Sequence, residues 1–131
     1  MKILIAEDDF ASRKFMLRFL SKFGECDITV DGEEAVEAFT MALDAEDGYD
    51  LVCLDIMMPG MDGYQALKQM REIELERNIS EEDSAKIIMT TALNEGRNVT
   101  KAFEYGCVAY AGKPIDQEKF ENVIRKLGLL E

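Results

Sequence analysis

The sequence has 131 residues, of which 47% are apolar and 32% are charged, as expected for one globular domain with its own core. Its formal net charge of −12 repels phosphate backbones, and because no basic run offsets that charge, direct nucleic-acid binding is not expected. No apolar run approaches the roughly 20 residues of a membrane span, and the N-terminus lacks a signal-peptide core. We therefore predict a cytoplasmic protein without membrane contact.

The three cysteines do not form a metal-binding or disulfide pattern. Their number is odd, none has CxxC spacing, and the sequence contains no histidine, so a zinc site with the usual ligands is implausible. We predict that Cys26, Cys53 and Cys107 are small apolar residues of the core.

The first part of the chain alternates strand and helix signals. An apolar run over residues 3–6 predicts a buried strand, and the helical periodicity after it stops at Gly24. Polar residues interrupt a weaker run over residues 26–30, which is typical of an edge strand. The next helix begins at Asp31, and Glu34 three residues later gives the spacing of a capping box.

The same alternation continues through the middle of the chain. Residues 51–54 and 87–90 are apolar runs whose length indicates strands buried on both faces. A helix is predicted between them over residues 64–77. The polar stretch over residues 74–84 predicts a surface connection whose charges are solvated.

A fourth helix is predicted over residues 95–105, followed by a buried strand over residues 108–111 and a last helix that Asp116 caps. The order of elements is therefore (βα)₅. Parallel strands need crossover connections, and these are right-handed, so helices cover both faces of the sheet. We predict an α/β fold with a doubly wound, five-stranded parallel sheet.

Polar side chains follow the apolar runs at the points where the strands end. Asp8 and Asp9 follow the first run, Asp55 the third, Thr91 the fourth and Lys113 the fifth. Ligands of open α/β sheets bind beyond the carboxyl ends of the strands, so we expect these side chains to converge on one rim.

This set of side chains indicates a metal ion and a phosphoryl group. Clustered carboxylates raise one another's pKa unless a cation neutralises them. Oxygen ligands without histidine or cysteine suit Mg²⁺, which takes one or two carboxylates plus a phosphate. An aspartate can act as a nucleophile toward phosphorus, and a lysine and a hydroxyl can stabilise the transferred group.

The sequence resembles the receiver domain of bacterial two-component response regulators over its whole length, and the motifs that carry the resemblance are Asp8-Asp9, the segment 55–63 (DIMMPGMDG), Thr91-Ala92 and Lys113-Pro114. The resemblance implies a flavodoxin-like fold with strand order 2-1-3-4-5. It also implies a phosphorylation-dependent signalling switch rather than an enzyme. We expect a stand-alone receiver of the chemotaxis-regulator type, with residues 1–131 forming one domain and no output domain.

The resemblance assigns metal-binding roles to matching positions. Asp55 is the implied phosphoacceptor and also a ligand of Mg²⁺, for which Mn²⁺ can substitute. Asp9 is the implied direct ligand, Asp8 holds a metal-bound water, and Met57 contributes its backbone carbonyl.

The resemblance also implies how the phosphoryl group is contacted and sensed. Thr91, Ala92 and Lys113 contact its oxygens. Thr91 and Tyr110 form the switch, in which the threonine hydroxyl moves toward the phosphoryl group and the tyrosine turns inward.

Two further pairs of residues flank the acceptor in the family pattern. Pro59 and Gly63 shape the loop that leads into the third helix. Met57 and Leu93 overlook the phosphoryl group, and because neither side chain can orient an attacking water, we predict slow hydrolysis.

The implied partners are a sensor histidine kinase or a phosphotransfer protein, and a downstream protein that contacts the fourth helix, fifth strand and fifth helix. The sequence does not select the kinase or the target.

The protein could instead be a haloacid-dehalogenase-like phosphohydrolase, but such enzymes carry a second acid two residues after the nucleophile, where this chain has Met57. A flavodoxin-type carrier needs a phosphate loop after the first strand, where Asp8 and Asp9 would repel a phosphate, and a Walker-type nucleotide motif is also missing.

Overall fold

The computed structural model describes residues 1–92 and 99–130 of the chain, and within them five parallel strands alternate with five helices. The strands are β1 (Lys2–Ala6), β2 (Glu25–Thr29), β3 (Leu51–Asp55), β4 (Lys86–Ala92) and β5 (Ala109–Lys113). The helices are α1 (Phe10–Leu20), α2 (Gly32–Asp44), α3 (Gly63–Glu76), α4 (Val99–Glu104) and α5 (Gln117–Lys126). The strands pair in the order β2-β1-β3-β4-β5, which confirms the predicted fold class and strand order.

The sheet carries an apolar layer on each face, because successive side chains of a strand point to opposite sides. Leu4 of β1 belongs to the layer that contains Phe39 of α2. Its neighbour Ile5 belongs to the opposite layer, with Phe19 of α1 and Phe120 of α5. Complete burial of side chains of this size contributes about 1.5–3 kcal/mol each, so these two layers fix the sheet between its helices.

The prediction that the fifth strand is buried on both faces is wrong. All of β3 is buried, whereas the residues of β5 are only partly buried or exposed, because β5 forms an edge of the sheet. β5 also runs beyond the predicted end at residue 111, since its pairing with β4 extends to the residue pair Ala92 and Lys113. Lys113 is therefore the last residue of the strand.

The helix boundaries differ from the predicted ones by a few residues. The start of the last helix is confirmed, since the Asp116 side chain accepts a hydrogen bond from the Lys119 amide at 3.1 Å. α1 ends at Leu20, several residues before Gly24. Residues 95–98 of the predicted fourth helix lie outside the described residues. No helix in the described ranges is long and apolar enough to span a bilayer.

The predicted capping box at the start of α2 is only half present. The Asp31 carboxylate accepts a hydrogen bond from the Glu34 amide at 2.8 Å, but the Glu34 carboxylate accepts from the Val30 amide instead of returning to Asp31. The complete reciprocal box opens α3, where Asp62 and Gln65 each accept a hydrogen bond from the other's amide. This box fixes the start of the helix that follows the loop after Asp55.

The polar stretch over residues 74–84 is not solvated throughout, contrary to the prediction. Glu74, in the last turn of α3, is only 4% exposed. Its Oε1 lies 2.7 Å from Nη1 of Arg71, and its Oε2 accepts a hydrogen bond from the Ala85 amide at 2.8 Å. Arg71 also donates to the carbonyls of Ala85 and Gly106, so one ion pair ties α3 to the start of β4 and to the end of α4.

The cysteines occupy the predicted positions in the core. Cys53 and Cys107 are buried, Cys26 is partly buried, and all three are free thiols. Burial raises the pKa of Cys107 to about 11, so this thiol stays protonated and inert near neutral pH.

Candidate functional site

Three carboxylates converge at the carboxyl edge of the sheet. Glu7 and Asp8 follow directly after β1, and Asp55 is the last residue of β3, which pairs with β1 at Ala6 and Leu54. One carboxylate oxygen from each of the three acids lies within 4.8 Å of the others. Glu7 and Asp55 are buried, whereas Asp8 is exposed. The group is therefore open to solvent on one side.

The cluster of three carboxylates includes Glu7 and does not include Asp9. The Asp9 side chain is the N-cap of α1 and accepts a hydrogen bond from the Ser12 amide at 2.9 Å, and this bond lowers the pKa of Asp9. Asp8 and Asp9 were the metal ligands predicted after β1, and Glu7 was not among them. The spacing of Asp9 and Ser12 was the available signal, because an aspartate three residues before its partner amide is a common helix cap.

Lys113 approaches this cluster of carboxylates from β5. Its Nζ donates a hydrogen bond to Oε1 of Glu7 and lies 3.2 Å from Oδ1 of Asp55. Burial alone would lower the pKa of Lys113, but the hydrogen bond to Glu7 and the charge of Asp55 outweigh burial and raise it. The ammonium group therefore stays charged between two buried acids.

The pKa of Asp55 is raised to about 7. Burial is the main cause, and the negative charge of Glu7 adds to it, while Lys113 opposes the rise. An acid with such a pKa is partly protonated at neutral pH. A cation that binds the cluster of three carboxylates would shift Asp55 toward its ionised form.

Thr91 and Ala92 lie at the same edge, at the end of β4. Thr91 pairs in register with Gly112 and Ala92 with Lys113, so both residues flank the lysine. The Thr91 side chain is buried, and its hydroxyl donates to the carbonyl of Ala92 at 3.2 Å. The predicted phosphoryl-contacting residues are therefore neighbours in space.

Tyr110 of β5 is half-buried, and its hydroxyl oxygen is fully enclosed. The hydroxyl of Tyr64, at the start of α3, is enclosed as well, and the two hydroxyl groups are neighbours. Burial, followed by the neighbouring Tyr110 hydroxyl, raises the pKa of Tyr64 to about 12. The Tyr110 side chain thus already points into the protein, next to Tyr64.

The segment after the acceptor passes close to α3. A Cβ atom at Gly63 would lie 2.4 Å from the carbonyl oxygen of Asp55, so this position requires glycine. The Met57 side chain is 56% exposed, as expected for a residue that overlooks the edge. Leu93, its predicted counterpart, lies outside the described residues.

The residues present fit a magnesium ion. The carboxylate oxygens of Glu7, Asp8 and Asp55 are hard ligands, and no thiol or imidazole accompanies them in the described group. Three acids at this separation repel one another, and a divalent cation would remove that repulsion. The chemistry of the group therefore favours Mg²⁺ or Mn²⁺ over a soft metal.

Residues 3–125 match the family model of the response regulator receiver domain, so the chain belongs to this family of phosphoryl-accepting signalling switches. Among curated relatives, the transcriptional regulatory protein ResD of Bacillus subtilis is 35% identical over 130 residues, which are 98% of this chain and 48% of ResD. The chain thus spans about half the length of this relative.

Two solved structures show the same fold at low sequence identity. The CheX-CheY-BeF3-Mg complex from Borrelia burgdorferi aligns with a TM-score of 0.80 at 28% identity, covering 97% of this chain and 89% of that one. The receiver domain of Ssk1, in complex with the histidine phosphotransfer protein Ypd1 of Saccharomyces cerevisiae, aligns with a TM-score of 0.81 at 26% identity. That alignment covers 98% of this chain and 88% of the other.

Proposed function

We propose that Asp55 accepts the phosphoryl group, from a sensor histidine kinase or a histidine phosphotransfer protein, with a magnesium ion held by Glu7, Asp8 and Asp55. The observation that carries the proposal is the position of Asp55. It is a buried carboxylate at the end of β3, grouped with two further acids and 3.2 Å from the Lys113 ammonium. The backbone carbonyl of Met57 is the fourth proposed ligand, and Asp9 is left as a helix cap.

In the proposed reaction, an Asp55 oxygen forms a bond to phosphorus while the bond between phosphorus and the donor nitrogen breaks. The leaving imidazole keeps the bonding electrons and takes up a proton. The bound ion would neutralise charge on the phosphoryl oxygens. Lys113 already contacts both Glu7 and Asp55, so a small movement of its Nζ brings it onto a phosphoryl oxygen. The Thr91 hydroxyl would donate to another oxygen.

The direct test is incubation of the protein with acetyl phosphate, followed by intact-mass measurement. We expect one phosphoryl adduct in the presence of Mg²⁺ that is stable in acid and labile in base, as an acyl phosphate should be. Chelation of the metal should prevent it. An adduct that forms equally well with chelator would contradict the proposal.

We further propose that the phosphorylated protein signals through the surface of α4, β5 and α5, in the cytoplasm and without binding nucleic acid directly. The relatives of known structure include complexes with other proteins, which supports signalling by protein contact. Slow hydrolysis, controlled by Met57 and Leu93, stays a prediction.

The switch is tested with beryllofluoride, which mimics a phosphoryl group. We expect the Thr91 hydroxyl to move toward the mimic and Tyr110 to repack, because a ligand favours the state that it binds more tightly. Amide resonances of β5 and α5 should therefore shift together with those of the carboxyl edge, while those of α2 stay in place. Shifts confined to the edge would contradict a switch through Tyr110.

A further inference from the structure

The loop between β1 and α1 carries two of the three carboxylates, and several of its backbone groups form hydrogen bonds. The Glu7 amide donates to the Thr29 carbonyl of β2 at 3.1 Å. The Asp9 amide donates to Oε2 of Glu7 at 3.2 Å, and the Asp9 side chain caps α1. The carbonyls of Glu7 and Asp8 are held by a side chain of α1.

Arg13 satisfies both of these carbonyls. Its Nη1 donates to the Glu7 carbonyl at 3.1 Å and to the Asp8 carbonyl at 3.2 Å. Because the two carbonyls are consecutive, one guanidinium group restrains the two peptide planes that flank Asp8. The side chain of Asp8 is attached between those planes, so its direction depends on them.

The guanidinium group is itself held in place. Its Cζ lies 5.6 Å from the centre of the Phe10 ring, within the range of a cation–π contact. This contact gives Phe10 a role although its ring is 69% exposed. Arg13 is half-buried and forms no ion pair with a carboxylate among the described residues, in contrast to Lys113, which contacts two.

We infer that Arg13 is a positioning residue for the divalent cation, which holds the backbone of Glu7 and Asp8 so that their carboxylates face Asp55. The inference rests on the proposed metal-dependent function. A loop that is ordered before the ion arrives binds it more tightly, because less conformational entropy is lost on binding. The donors of Arg13 are directed at carbonyls, so Arg13 does not compete with the ion for carboxylate oxygens.

Loss of the Arg13 charge and loss of its hydrogen bonds are expected to change the affinity for Mg²⁺ in opposite directions. A cation near the site repels Mg²⁺, so loss of the charge alone would strengthen binding. Loss of the hydrogen bonds frees the loop and weakens binding. The sign of the change on replacing Arg13 therefore distinguishes a positioning role from an electrostatic one.

The experiment measures the dissociation constant of Mg²⁺ by titration calorimetry for the wild type, Arg13→Ala, Arg13→Lys and Lys14→Ala. Lys14 is the exposed neighbour of Arg13 and controls for the loss of one positive charge. We expect about tenfold weaker binding in Arg13→Ala, which corresponds to about 1.4 kcal/mol, and a change within twofold in Lys14→Ala. Arg13→Lys keeps the charge but loses the rigid planar group that directs Nη1 at both carbonyls, and should bind at least threefold more weakly than the wild type.

Melting temperatures of all variants are measured in parallel, and titrations are run well below the lowest of them. Equal or tighter binding by Arg13→Ala would overturn the inference, and so would a lower melting temperature with unchanged affinity. If Arg13→Ala does not fold, Arg13→Lys decides by the same criterion. A wild type that binds no Mg²⁺ would instead contradict the proposed function.

Discussion

Replacing Asp55 by asparagine is expected to abolish phosphoryl labelling and, without a divalent cation, to make the protein more stable at pH 8. Labelling is lost because the amide is a poor nucleophile toward phosphorus. Stability rises because the variant no longer buries a carboxylate next to Glu7, while Lys113 keeps its pairing with Glu7. We expect a gain of up to about 4 kcal/mol, since the pKa rises from 3.8 to about 7 and one pKa unit corresponds to about 1.4 kcal/mol.

The dependence on pH follows from the direction of the pKa shift. Asp55 has a pKa of about 7 in the folded protein, against 3.8 as its ordinary value. Between these two values the folded state binds more protons than the unfolded state, so the free energy of unfolding falls as the pH rises. The contribution of Asp55 to this fall is complete above about pH 7. The asparagine variant should lack this slope and should match the wild type near pH 4.

These stabilities are measured by urea unfolding at several pH values, with and without Mg²⁺. Glu37→Gln, which removes one exposed charge elsewhere, is the control and should keep the wild-type slope. Mg²⁺ should stabilise the wild type at pH 8 much more than the asparagine variant. A wild type whose stability is flat from pH 4 to pH 8 would show that Asp55 is not a buried acid of raised pKa.

Replacing Arg71 by methionine is expected to lower the free energy of unfolding by about 3–5 kcal/mol. The change leaves the Glu74 carboxylate buried with only the Ala85 amide as its partner. Removal of one member of a buried ion pair is costly because the other charge stays in the interior. The carbonyls of Ala85 and Gly106 lose a donor as well.

A second arginine provides the matched control. Arg77 lies 2.7 Å from Asp44, the same distance as between Arg71 and Glu74, but both members of the Arg77 pair are exposed. Arg77→Met should therefore cost no more than about 1 kcal/mol. Urea unfolding of the two variants compares a buried ion pair with an exposed one at the same N–O distance. Equal losses of stability would show that burial does not determine the cost of breaking the pair.

The order of elements and the common edge of the strands follow from the sequence. Apolar runs of strand length, separated by helical periodicities, require a parallel sheet with crossovers. The carboxyl ends of parallel strands meet at one edge, so Asp55, Thr91 and Lys113 were predicted to lie together, and they do. The capping signal of Asp116 was equally local, since a cap and its partner amide are three residues apart.

Contacts between distant parts of the chain were not predictable in the same way. Three consecutive acids follow β1. Glu7 faces Asp55 whereas Asp9 caps α1, and this difference arises only when the loop packs. The edge position of β5 likewise depends on the strand order and not on the composition of its own run.

Local periodicity sets where elements begin and end, so the residue types at each strand end could be predicted from the chain alone. The direction of those side chains and the partners that they meet depend on packing between distant segments. Glu74 is an acid in a polar stretch, and it is buried because Arg71 and the Ala85 amide meet it there. Partners far apart in sequence leave no periodic signal, so their burial and pairing are set by packing.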